Sequence, residues 1–179
     1  MIDMDQKQRV DQAWRKTRDW ITQFDGAATE AYLTNIDAEG LPPALKSLAG
    51  GTSDLRIAAI GGREKDQSAE INLESLPDAL ARLQAGKLSG ININTLTRPG
   101  GLDLDLHVVV YTIGNRKVDL EIIWWADQAF PEGAEPSGRI RELLGYFMDL
   151  QTLFSAQRLY VGPETYEKPG QGSLSWVEI

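Results

Sequence analysis

The chain has no cysteine and only one histidine in 179 residues. The first absence removes disulfides, thiolate nucleophiles and cysteine-based zinc sites. The second leaves His107 as the sole imidazole, which excludes the histidine-rich catalytic zinc centres. Long apolar runs are missing as well, since no stretch approaches the ~18 residues that read as a membrane span. The N-terminus, Met1-Ile2-Asp3-Met4-Asp5-Gln6-Lys7, has no basic region leading into an apolar one, so it does not read as a signal peptide. A soluble, cytoplasmic protein is expected.

Positive charge is also scarce. Lys and Arg total 18 against 26 Asp and Glu, a net charge of −8, and both halves of the chain are acidic. Such a surface repels phosphate backbones and anionic lipid, so neither nucleic acid nor a membrane is expected as a partner. It suits docking to a basic protein.

What is present is ordinary for a globular chain: 42% hydrophobic and 25% charged residues. The length fits a single domain, 1–179. The pattern predicts an α+β fold: an antiparallel β-meander over about 88–97, 102–113 and 117–127, with further short strands. An N-terminal helix (about 5–25) and a long C-terminal helix (about 137–157) are expected to pack on one face of it. In the first helix Val10, Trp14, Thr17, Ile21 and Phe24 recur at helical steps. In the last, Ile140, Leu143, Leu144, Phe147, Leu150 and Phe154 do so.

Between these, 30–37 and 55–60 read as strands and 75–85 as a short helix with Ser75 as its N-cap. Leu41-Pro42-Pro43 reads as a loop leading into a short helical turn. Residues 63–70 read as an exposed loop, and the Pro/Gly-rich stretch 163–173 as a mobile one. Leu159-Tyr160-Val161 and 174–179 complete the pattern, the latter as a last strand.

Alternation in the meander fixes which residues share a face. In its middle strand the even positions Leu102, Leu104, Leu106, Val108 and Val110 are all apolar. In the third, so are Val118, Leu120, Ile122, Trp124 and Ala126. A two-residue Gly114-Asn115 turn would pair odd with even and set Asp119 and Glu121 beside leucines. An odd-numbered loop, Gly114-Asn115-Arg116, avoids that cost. It pairs Tyr111 with Asp119, Val109 with Glu121, and His107 with Ile123. A four-residue turn at Arg98-Pro99-Gly100-Gly101 would pair Thr97 with Leu102, Ile93 with Leu106, Asn94 with Asp105 and Asn92 with His107.

The opposite face then gathers Asn92, Asn94, Asp103, Asp105, His107, Tyr111, Asp119, Glu121 and Trp125. It is the most site-like feature of the sequence. Exposed aromatics such as Trp125 and Tyr111 anchor protein interfaces, and the acids around them give electrostatic steering. The alternatives are an enzyme or small-molecule site over Asp105, His107 and Glu121, and a homo-oligomer in which a twin, as in a homodimer, covers this face. A carboxylate beside a histidine can tune acid–base chemistry, but no metal, cofactor or catalytic residue is assigned. Gly61-Gly62-Arg63 lacks the Lys-Ser/Thr pair of a phosphate loop, and no serine sits in a nucleophile elbow.

A small, acidic, leaderless α+β chain without catalytic residues resembles the immunity proteins of bacterial toxin systems. Leu41-Pro42-Pro43-Ala44-Leu45 followed by Gly50-Gly51 looks like the Leu-Pro-to-Gly-Gly stretch of SUKH-type immunity domains. The resemblance implies a non-enzymatic protein that binds and neutralises a basic toxin domain.

Overall fold

The computed structural model describes residues 4–21, 28–49, 54–61, 68–97, 104–114, 116–125, 136–163 and 177–179. In chain order the elements are α1 (Met4–Ile21), β1 (Ala28–Asp37), a 3-10 turn (Ala38–Gly40), α2 (Leu41–Ala49), β2 (Asp54–Gly61), β3 (Ser68–Ile71), α3 (Leu76–Gln84), β4 (Leu88–Thr97), β5 (Leu104–Thr112), β6 (Lys117–Trp125), α4 (Pro136–Leu153), β7 (Arg158–Pro163) and β8 (Val177–Glu178). The strands form one sheet in the order β3-β2-β4-β5-β6-β1-β7-β8. Every neighbouring pair is antiparallel.

The expected α+β fold is therefore present, with the meander β4-β5-β6 at its centre. Its apolar positions point inward as alternation requires: Leu104, Leu106, Val108, Val110, Val118, Leu120, Ile122 and Trp124 are all buried. They receive α4, whose Phe147 ring lies 6.1 Å from that of Trp124. Helix α1 packs on α4 with Val10, Ala13, Thr17 and Ile21 buried. Half-buried Trp14 carries the Arg141 guanidinium 5.7 Å above its ring, and Asp11 pairs with the same arginine at 3.1 Å.

The β5–β6 hairpin has the expected register. Tyr111 faces Asp119, Val109 faces Glu121 and His107 faces Ile123. Ile113 donates its N–H to Lys117 O at 3.1 Å, so the loop is the three residues 114–116. Gly114 and Arg116 take positive φ there, at 97° and 65°.

The β4–β5 register differs from expectation by two residues. Thr97 faces Leu104 rather than Leu102, Ile93 faces Val108, and Asn94, not Asn92, faces His107. A longer connection spaces these strands, and residues 98–103 lie outside the described ones. A two-residue slip preserves the face of every side chain, because the strand repeats every two residues. The inward and outward sets therefore survive.

Three other expectations are corrected. Leu41-Pro42-Pro43 is not a loop but the first turn of α2. The first turn of a helix has N–H groups without intrahelical acceptors, so proline costs nothing there. Residues 68–70 belong to β3, an exposed strand at the sheet edge paired to β2; their polarity is that of an edge rather than of a loop. Ser75 precedes α3, but its hydroxyl bonds Asn72 instead of capping the helix. The stretch 164–173, Phe24, Trp20's side chain, Asp103 and residues 174–176 lie outside the described residues.

Candidate functional site

Strand pairing sorts the outer-face side chains into rows across the sheet. One row runs Tyr160, Tyr32, Glu121, Val109, Asn92 and Ala58, from β7 to β2. The next runs Glu30, Ile123, His107, Asn94 and Arg56. Of the sequence-derived residues, Asn92 and Glu121 lie in the first row and Asn94 and His107 in the second, while Tyr111 faces Asp119 in a further row and Asp105 and Trp125 lie at the other end, so they do not converge on one point.

The first group is a tyrosine–carboxylate cluster. Tyr111 donates its hydroxyl to Glu121 Oε2 at 2.5 Å, and Tyr32 also hydrogen-bonds Glu121. Glu121 is 8% exposed, Tyr32 4% and Glu30 4%. Burial holds the phenols of Tyr32 and Tyr111 well above the usual tyrosine range. The bond to Glu121 and the negative charges of Glu121 and Glu30 add to the shift. Both phenols thus remain protonated donors at neutral pH. Their arrangement satisfies a buried carboxylate rather than supplying a base.

This sets a pH dependence. A phenol whose folded pKa lies above its unfolded value of 10.0 contributes stability that is complete below pH 10 and lost as pH rises beyond it. Tyr32 should then cost about 1.4 kcal/mol per pH unit above pH 10. Urea unfolding at pH 9, 10 and 11 should show that loss with Tyr111 adding its own, and Tyr32→Phe should lower the slope by about 1.4 kcal/mol per pH unit. An identical slope in Y32F would mean that Tyr32 ionises in the folded protein as it does in the unfolded one.

Asp119 serves the backbone of β1. A bulge between Leu33 and Ile36 leaves Asn35 at φ 61°, a conformation asparagine tolerates. Asp119 Oδ1 accepts the Asn35 N–H at 2.8 Å, and Asn35 Nδ2 donates to Gln157 Oε1 at 2.5 Å. The bulge lets both Leu33 and Ile36 reach the core despite their odd spacing.

The second group lies further along β4, β5 and β6. His107 Nδ1 sits 2.6 Å from Asn94 Oδ1. Asp105 and Asn94 are exposed, and Trp125 is 40% exposed, one of two exposed large apolar side chains among the described residues. Arg56, Asn94, Leu96 and Asp105 line an open depression of about 370 Å³. His107 is engaged by Asn94, and Glu121 by the tyrosines, so these two do not form an acid–base pair. Among the described residues no three Asp, Glu or His side chains are grouped to hold a metal.

Three residues of this face were not anticipated: Glu30 and Tyr32 from β1, and Arg56 from β2. Alternation of Glu30, Tyr32 and Thr34 against Ala31 and Leu33 is visible in the sequence. What is not visible there is that β1 inserts between β6 and β7.

No protein-family model matches the chain, and comparison with curated proteins finds no match. One solved structure is similar, that of the toxic C-terminal tip of CdiA from Pseudomonas aeruginosa in complex with immune protein. The match has 16% sequence identity, covers 77% of this chain and 86% of that one, and has a TM-score of 0.47. A likeness that distant bears on neither partner nor mechanism.

Proposed function

We propose that the chain is a non-enzymatic binding protein that docks a basic macromolecular partner on the outer face of β4, β5 and β6. The observation that carries this is the exposed tryptophan, Trp125, at the same end of the meander as exposed Asp105 and Asn94. A large aromatic contributes contact area, and the exposed carboxylate of Asp105 at that end favours positive charge. The net charge of −8 supports the same sign of partner. The resemblance to immunity proteins makes a toxin domain, neutralised on binding, the first partner to test.

The test is capture from lysate of the native cells on immobilised wild-type chain, with Trp125→Ala and Asp105→Lys run in parallel. A specific partner should be retained by wild type. W125A should weaken it by roughly 2 kcal/mol, about thirtyfold in Kd. D105K should lower the association rate and flatten its salt dependence. A partner held equally by all three would place the interface elsewhere. Light scattering that finds a dimer for wild type and a monomer for W125A would instead make the partner a second copy.

A further inference from the structure

His107, the only histidine of the chain, lies on the outer face beside the surface that carries Trp125. Its cross-strand neighbours are Asn94 on β4 and Ile123 on β6. Asp105 lies two residues along β5, and Trp125 two residues beyond Ile123 along β6, both toward the same end. An imidazole is the one side-chain type that ordinarily changes charge between pH 5 and 8. The charged groups around the ring are mixed in sign. Among the described residues they are Asp105 on its own strand, Arg56 on β2 beyond Asn94, Glu121 on β6, and Glu30 on β1 beyond Ile123. Each of these has interactions of its own.

The bonding of the ring fixes which nitrogen titrates. Nδ1 sits 2.6 Å from Asn94 Oδ1, and a carboxamide oxygen can only accept. Nδ1 therefore carries a proton in the neutral ring as well as in the charged one. The neutral ring keeps its lone pair on Nε2, the nitrogen farther from the backbone. His107 is half-buried, and among the described residues its one hydrogen bond is that to Asn94. Nε2 is thus an acceptor when the ring is neutral. Protonation turns it into a donor and makes the ring a cation.

We infer that His107 makes docking on this face pH-dependent, loosening the hold on a basic partner as the pH falls. This rests on the docking of a basic partner at Trp125 and adds its regulation. The neutral ring accepts an N–H from a lysine or arginine of the partner at Nε2. Protonation removes that acceptor and sets a positive charge against positive charge, so both effects act in the same direction. The sign follows from the proton balance. The complex holds His107 neutral and so binds fewer protons than the free chain, and acid favours whichever state binds more.

The experiment uses the full chain, without a histidine tag and labelled with nitrogen-15, in which His107 gives the only imidazole signals in nuclear magnetic resonance. Ring spectra taken across the neutral range should show Nδ1 protonated throughout and Nε2 gaining the proton as the pH falls. A neutral ring protonated at Nε2 instead overturns the inference. A capped tetralysine peptide is then titrated at low salt, at pH 8 and at pH 5.5, and followed by the Trp125 indole and Asp105 amide shifts. Its Kd should be about fivefold higher at the lower pH, the reach of one exposed charge interaction. His107→Gln should remove most of that rise. His107→Lys should bind weakly at both pH values, and the amide spectrum of each variant reports whether it is folded. The same rise in wild type and H107Q overturns the role of His107 and leaves the docking surface standing. Tetralysine binding that neither Trp125→Ala nor Asp105→Lys weakens at either pH overturns both.

Discussion

Leu106→Asp is expected to unfold the chain, whereas Asp105→Leu, one residue away, should leave its stability within about 1 kcal/mol of wild type. Leu106 is fully enclosed in the core, while Asp105 is exposed on the opposite face of β5. The substitution at 106 loses the packing of a buried leucine, about 2–5 kcal/mol. It also forces a carboxylate into an apolar site or makes it take up a proton there, at about 3 kcal/mol or more. The total, roughly 5 kcal/mol or more, rivals the whole stability of a typical domain. Circular dichroism and urea titration of the two variants measure the contrast. Equal tolerance at both positions would mean that the two faces of the meander are not what the register makes them.

Glu121→Ala should cost about 2–4 kcal/mol, a large effect for removing a charge from an acidic protein. The reason is local. Glu121 accepts hydrogen bonds from Tyr111 and Tyr32, and Tyr32 is almost wholly buried. Alanine strands the Tyr32 hydroxyl without that acceptor, at about 1–3 kcal/mol, and the trimmed side chain adds a cavity term. Glu121→Gln keeps an acceptor and should cost less than half as much. Urea midpoints at pH 7 decide the matter. A gain in stability in E121A would mean that repulsion between Glu121 and Glu30 outweighs both hydrogen bonds.

These two predictions show which features could be found by reading residues in order. Alternation alone assigned Leu106 and Asp105 to opposite faces, and the energetic penalty of burying Asp119 and Glu121 selected the three-residue loop at 114–116. Both conclusions rest on physics that acts between near neighbours in the chain: a strand repeats every two residues, and a short loop couples one strand's phase to the next. The β4–β5 register was misjudged by two because Arg98-Pro99-Gly100-Gly101 satisfies a tight turn locally, while the pairing energy of the strands around it does not depend on where that turn begins. Parity is strongly constrained by burial, and displacement in steps of two is not.

The tyrosine–carboxylate cluster shows what distance hides. Tyr111 and Glu121 are ten residues apart and their proximity followed from one hairpin. Tyr32 reaches the same carboxylate from a strand that is close in sequence to α1 and α2, yet lies in the sheet between β6 and β7. The order β3-β2-β4-β5-β6-β1-β7-β8 is a choice among pairings that would each satisfy the backbone of β1, and no local pattern distinguishes them.

The sequence by itself determined the α+β composition, the inward and outward faces of β4, β5 and β6, the net negative charge, and the exclusion of thiol chemistry. All of these follow from residue identity and short-range periodicity. Only the tertiary structure decided that Glu30 and Tyr32 join Glu121 in a buried cluster and that Asp119 supports the β1 bulge. Those depend on which strand lies next to which, a free-energy balance summed over the whole core rather than encoded in any one segment.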